Sequence, residues 1–245
     1  MTLDKLELVQ NAAFLCTAIY DYVDFGDIHW DYESQNQLAY WRLKVLNNIA
    51  YFVFRGSVTK EDFLRDVFTV ANPFAHDKLG PVHPGAYLGL PEAWTEIKSK
   101  LTPTTQFIFS GHSLGSMEAN ICTGLAVIDD YNPVYQICFG CPRPAFRQLG
   151  NLTKDISEFG FRNISTDRQS WDHITTIPFD IWPESFIHIG PLTDINVPPT
   201  APDSWGPLFD WHHMELYYEG VMSLTEDDLT THADNNMLLK RANLG

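Results

Sequence analysis

Cysteine is scarce: Cys16, Cys122, Cys138 and Cys141 are the only four in a chain of 245 residues. That is too few for a disulfide framework to replace a hydrophobic core. Positive charge is scarce as well, with 16 Lys and Arg against 31 Asp and Glu and a formal net charge of −15. Phosphate recognition rests on clustered Lys and Arg, so the composition argues against a nucleic-acid binder and disfavours anionic membranes. Long apolar runs are missing at the N-terminus, where MTLDKLELVQNAAFLCTAIY is interrupted by Asp4, Lys5, Glu7 and Gln10. That pattern reads as an amphipathic helix, not as a secretion leader or a membrane span. The cytoplasm is the default expectation, with export after loss of a leader left open. No repeat, low-complexity tract or composition break divides the chain, and one domain over 1–245 is expected. The stretch most like a linker, GPLTDINVPPTAPDSWGPL at 190–208, reads as a long surface loop.

Apolar residues make up 44% of the chain and aromatics 13%, ample for a sizeable core. Strand and helix patterns alternate. NQLAYWRLKVLNNIAYFVF, 36–54, reads as two strands turning at Asn47 and Asn48, and PEAWTEIKSKL, 91–101, as a helix with Pro91 at its start. TQFIF is a strand, SMEANICTGLAVI a helix, VYQICF a strand and EFGFRNIS another. This order predicts an α/β fold with a central, largely parallel sheet flanked by helices. Cys138 and Cys141 form a CFGC, but no second pair completes a metal site, and the context predicts small apolar thiols packed at a strand's end.

One serine sits between two glycines in FIFSGHSLGSME, 107–118. Strand, then GHSLG, then helix is the arrangement of a nucleophile elbow at 111–115. Gly111 and Gly115 remove side chains where the chain folds back, which leaves Ser113 on a strained turn at the carboxyl end of the sheet. The helix start beneath it adds positive partial charge, and the Leu114 N–H is free to bind a developing oxyanion.

A serine hydroxyl needs a base, and the base needs an orienting carboxylate. This topology expects the order Ser, acid, His, so His29, His76 and His83 come too early, and the turn should aim His112 elsewhere. His173 adjoins Asp172, His188 in SFIHIG reads as a locally satisfied strand or loop histidine, and His232 lies near the end. His212 and His213, in DWHHMELYYEG, remain. They follow a long loop and precede a helical pattern of Met214, Tyr217, Tyr218 and Val221. For the acid, Asp172 in SWDHITTIP follows a strand toward the sheet's carboxyl edge, with Asp167 as the runner-up.

These motifs resemble the class 3 lipases of the α/β-hydrolase superfamily, whose best-known members are fungal triacylglycerol lipases. The resemblance runs from about residue 50 to 218. AYFVFRGSVTKEDFLRDV is similar to the family's strand and oxyanion segment, VHPGAY to its VHxGFY, FSGHSLGS to its elbow and FGCPRP to its FGxPRxG. DHITTIP resembles its acid motif and FIHIG a nearby HxG, while HHMELY resembles its histidine motif. The resemblance implies Asp172 as the acid, His212 as the base, and Ser57, following FRG, as an oxyanion donor beside Leu114. Three positions depart from the family pattern: Ser116 replaces a glycine, Ala86 an aromatic, and Trp211 an aspartate.

The implied chemistry is acyl transfer to water through an acyl-enzyme on Ser113, without metal or organic cofactor. A carboxylic ester hydrolase is expected, of lipase type on acylglycerols. A phospholipase A1, a feruloyl-type esterase or a peptidase would share the triad, and a catalytically silent binding protein would share only the fold. The expected partner is a small-molecule or lipid ester, met in transient contact with a lipid–water interface. EDFLRDVFTVANPF, 61–74, carries an apolar stripe of Phe63, Leu64, Val67, Phe68 and Ala71. It reads either as a core-facing helix or as a lid helix within 58–80.

Overall fold

Asn47 and Asn48 both take positive φ, 49° and 65°, as a two-residue hairpin turn requires. They join β2 (Trp41–Leu46) to β3 (Ile49–Phe54), the hairpin expected over 36–54. The computed structural model describes residues 4–21, 28–59, 74–165, 170–176, 187–200 and 209–229. Within them β1 (Tyr32–Glu33), β2 and β3 form an antiparallel edge. From β3 the sheet continues in parallel through β6 (Gln106–His112), β7 (Tyr135–Phe139), β8 (Ser157–Asn163) and β9 (Leu192–Ile195). A separate small hairpin pairs β4 (Phe74–His76) with β5 (Gly80–Val82).

Every residue of β3 is buried, as a strand covered on both faces must be. Its alternation divides the core in two. Phe52 and Phe54 join Phe107, Phe109 and Trp41 on one face. That face is covered by α2 (Pro84–Tyr87), α3 (Leu90–Lys98), α4 (Leu114–Ile128) and α5 (Arg147–Leu152). Tyr51 and Val53 join Ile108, Ile137, Phe139 and Phe161 on the other, beneath α1 (Lys5–Ala18) and α6 (Met214–Met222). Burying a large apolar side chain of this kind is worth about 1.5–3 kcal/mol. The strand alternation that divides the core therefore also fixes which helix covers which face.

α1 starts on Asp4, whose carboxylate accepts the Glu7 N–H, and it packs against α6. α3 has proline in its first turn, close to the expected start. The stretch 190–208 is not a loop throughout: Leu192–Ile195 is β9, paired with β8. Its sequence, LTDI between Pro191 and the later prolines, is too short for periodicity to show, yet Thr193 and Ile195 point inward. Gly160 lets the Pro191 carbonyl approach β8 closely enough for the pairing to begin. The candidate lid at 61–74 falls outside the described residues except for Phe74, which opens β4. Asp167 and His232 also lie outside them.

Candidate active site

Ser113 takes φ 58° and ψ −127°, a conformation costly for any residue with a side chain. Two close approaches hold it there. A Cβ on Gly111 would overlap the backbone of Gly115, and one on Gly115 would overlap the carbonyl of Phe54. The Ser113 N–H is meanwhile tied to the Phe139 carbonyl at 3.1 Å. The serine thus stands between the end of β6 and the start of α4, whose first N–H groups have no acceptor within the helix.

His212 enters from the segment before α6. Its Nε2 lies 2.8 Å from Ser113 Oγ, and its Nδ1 lies 2.6 Å from Asp172 Oδ2. A carboxylate only accepts, so Nδ1 carries the proton and Nε2 accepts from the serine hydroxyl. All three side chains are buried, Asp172 completely. His213, one residue later, caps the start of α6 with its side chain exposed. The expected residues Ser113, Asp172 and His212 are therefore joined by hydrogen bonds, while the runner-up His213 has its side chain exposed.

Asp172 follows β8 and opens a short 3-10 helix (His173–Thr176), with its own N–H bonded to the Asn163 carbonyl at 2.9 Å. Its Oδ1 accepts the Ile174 N–H at 2.9 Å, and its Oδ2 accepts both His212 and the Tyr217 hydroxyl, the latter at 2.5 Å. Three donors thus compensate a carboxylate removed from water. Burial and then the Asp172 charge hold the Tyr217 phenol well above its ordinary range, so it remains a donor. The Asn163 N–H, 3.2 Å away, in turn donates to the Tyr217 oxygen.

Ser57 follows Gly56, whose backbone lies against the elbow beside Ser113 Cβ and the His112 carbonyl. Among the described residues the buried Ser57 hydroxyl has no hydrogen-bond partner. The N–H groups of Ser57 and Leu114 therefore belong to the two segments that flank the serine. Val58, next along, is half exposed at 49% and presents an apolar side chain to solvent there.

His112, which the sequence aimed elsewhere, lies against the site instead: its ring centroid is 4.7 Å from that of His212. Its Nε2 is 2.8 Å from the His212 carbonyl, and its Nδ1 is 2.9 Å from the Tyr20 hydroxyl. Burial, and next the neighbouring His212, push its pKa well below the ordinary histidine value, which keeps it neutral. Tyr20, His112 and the part of Tyr217 as a partner of Asp172 were missed in the sequence. The signal for Tyr217 was its place on the buried face of α6. For the other two no local pattern exists.

Cys138 and Cys141 are buried free thiols, with the Asn120 amide donating toward both at 3.4 and 3.5 Å. Burial raises the Cys138 thiol well above its ordinary range, as expected of packing residues. Among the described residues no group of three or more His, Cys, Asp or Glu side chains is placed to hold a metal ion.

A strained serine at a strand-to-helix turn, on the carboxyl edge of a mostly parallel sheet with helices on both faces, defines the α/β-hydrolase fold. The model of the class 3 lipase family matches residues 51–181, more than half the chain, and the chain belongs to that family. It is accordingly a carboxylic ester hydrolase of lipase type. The matched span contains Ser57, Ser113 and Asp172 and stops short of His212.

Solved structures agree on the fold. Rhizomucor miehei triacylglyceride lipase superposes with a TM-score of 0.63 at 17% identity, covering 80% of this chain and 82% of that one. Lip2 lipase of Yarrowia lipolytica gives 0.59 at 18% identity, covering 82% and 84%. The mono- and diacylglycerol lipase of Aspergillus oryzae gives 0.58 at 16% identity, covering 89% and 96%. Among curated proteins none matches by sequence.

Proposed function

We propose that this protein hydrolyses acylglycerol esters through Ser113, His212 and Asp172 acting as a catalytic triad. The observation that carries the reading is the His212 ring, within hydrogen-bond reach of Ser113 Oγ on one side and of Asp172 on the other. His212 takes the serine proton as Oγ attacks the ester carbonyl, and Asp172 stabilises the imidazolium that forms. The N–H groups of Ser57 and Leu114 hold the oxyanion, and the Ser57 hydroxyl, without a partner among the described residues, is available as a further donor. Each such donor contributes about 3–4 kcal/mol to the transition state. The alcohol leaves with the proton from His212. Water, activated by the same histidine, then attacks the acyl-enzyme and releases the carboxylic acid.

Two features support a neutral lipid as the substrate. The net charge of −15 opposes approach to an anionic surface, and Val58 offers an apolar contact beside Ser57. Acylglycerols are also the substrates named for the Rhizomucor and Aspergillus enzymes. The test compares emulsified mono-, di- and triacylglycerols with phospholipid and with p-nitrophenyl esters of rising chain length, for the parent and for Ser113→Ala. Loss of a triad nucleophile should lower kcat by about a million-fold on every ester the parent cleaves. Ser113→Ala activity near the parent level would dismiss the triad, and parent activity on phospholipid alone would dismiss the substrate.

A further inference from the structure

Three segments must meet at the serine: the oxyanion segment after β3, the elbow after β6, and the His212 segment before α6. One chain of hydrogen bonds runs through all three and uses no triad side chain. The Gly56 N–H donates to the Tyr20 hydroxyl oxygen at 3.0 Å, Tyr20 meets His112 Nδ1 at 2.9 Å, and His112 Nε2 meets the His212 carbonyl at 2.8 Å. Its proton positions follow from one fact. The His212 carbonyl can only accept, so His112 Nε2 bears the hydrogen, Nδ1 accepts, and the Tyr20 O–H donates to it. The Tyr20 oxygen is then left to accept from Gly56, and every group in the chain is used in one direction.

We propose that Tyr20 and His112 form a positioning unit that fixes the oxyanion segment and the base relative to the nucleophile. This rests on the triad reading above. Tyr20 lies just beyond α1, bonded through its N–H to the Thr17 carbonyl, and its ring and that of His112 meet in a T-shaped pair with centroids 5.8 Å apart. It thereby anchors the peptide preceding Ser57 to a helix that packs under the sheet. His112, held in β6 beside Ser113, anchors the backbone of the residue that carries the base. Tyr20 and His112 reach the site through the Gly56 N–H and the His212 carbonyl, and the His112 ring also lies against the His212 ring at 4.7 Å between centroids. Their effect is on geometry, and a misplacement of about 1 Å at a reacting centre costs about a hundredfold in rate.

The test uses the full-length protein and a soluble short-chain p-nitrophenyl ester. Tyr20→Phe and His112→Gln should each lower kcat about ten- to hundredfold with KM within about twofold of the parent. The fluorophosphonate labelling rate of Ser113 should fall in parallel. His112→Gln keeps an N–H able to reach the His212 carbonyl, so it should retain more activity than His112→Leu. The far-downfield proton resonance of the His212 to Asp172 hydrogen bond should shift or broaden in both Tyr20→Phe and His112→Gln, a signature that a loss of stability alone would not give. Because the unit acts as one, the double variant should lose less than the product of the single losses.

The inference is overturned if both variants hold kcat within twofold of the parent. It is equally overturned if the loss disappears at a temperature where variant and parent are folded to the same extent. A parent whose serine does not react with the fluorophosphonate would overturn the triad itself, which separates that failure from this one.

Discussion

Tyr217 and His212 share one acceptor: both donate to Oδ2 of Asp172, at 2.5 and 2.6 Å. Since Tyr217 lies on α6 and His212 in the segment leading into it, the acid is gripped twice by one element of the fold. Removing the tyrosine hydroxyl takes a donor from a buried carboxylate and an acceptor from the Asn163 N–H. A hydrogen bond to a charged group is worth about 1.5–3 kcal/mol. Tyr217→Phe should therefore lower kcat about tenfold or more and reduce stability by a similar free energy. Steady-state kinetics alongside thermal unfolding would show both, and an unchanged kcat would mean that His212 and the Ile174 N–H suffice to orient the acid.

The adjacent histidines should behave oppositely. On the triad reading His212→Ala removes the base and should lower kcat by about a million-fold, close to the loss expected without the serine. His213→Ala replaces an exposed side chain that forms no side-chain cap on α6, and it should change kcat by less than about threefold. Parallel kinetics on one soluble ester decide the matter. A dead His213→Ala beside an active His212→Ala would reverse the assignment.

Strain at the nucleophile predicts a trade between folding and chemistry. Glycine adopts positive φ without the steric penalty that Ser113 bears at 58°. Ser113→Gly should therefore unfold at a higher temperature, by a gain of about 1 kcal/mol, while showing no esterase activity. The gain is tempered by the freedom that glycine adds to the unfolded chain. Ser113→Ala keeps the Cβ and should show less of it. Equal midpoints for the two variants would indicate that the turn stores no strain.

Acid should weaken the fold through a histidine outside the triad. Burial, and next the Arg143 and Arg162 guanidinium groups, push His188 down to about 4 from 6.5. Below pH 6.5 the unfolded chain takes up a proton that the folded chain refuses, so folding stability falls as the pH drops toward 4 and the loss levels off beneath it. The contribution is about 1.4 kcal/mol per pH unit and about 3 kcal/mol in all. His112, held down in the same sense by burial, adds to the slope. Urea unfolding between pH 7 and 4 should show this decline, and His188→Gln should flatten it. An equal slope in that variant would assign the decline to other groups.

The elbow was legible because its cause is local: a serine between two glycines, after an apolar strand and before a helix, leaves the backbone few other courses. Asp172 was narrower in outline, since a loop carboxylate after β8 could as well have been a turn residue or cap. For the adjacent His212 and His213, both at the threshold of α6, the residues alone left the choice open, and only the likeness of HHMELY to the family's histidine motif favoured His212. β9 stayed hidden for a different reason. A strand of four residues carries too little pattern, and its pairing with β8 depends on space beside Gly160. Tyr20 and His112 are 92 positions apart, and no window along the chain relates them. Such partnerships arise only from the way the sheet stacks its helices.

The order in which the site's parts occur along the chain has a consequence during synthesis. On the triad reading, Tyr20, Ser57 and the elbow leave the ribosome first, then the acid, and His212 last, with α6 following to grip Asp172 through Tyr217. A nascent chain that has not yet emitted residue 212 holds a serine without its base. On that reading, ester hydrolysis by a half-made polypeptide is withheld until the base segment docks. Translation itself acts as the safety catch.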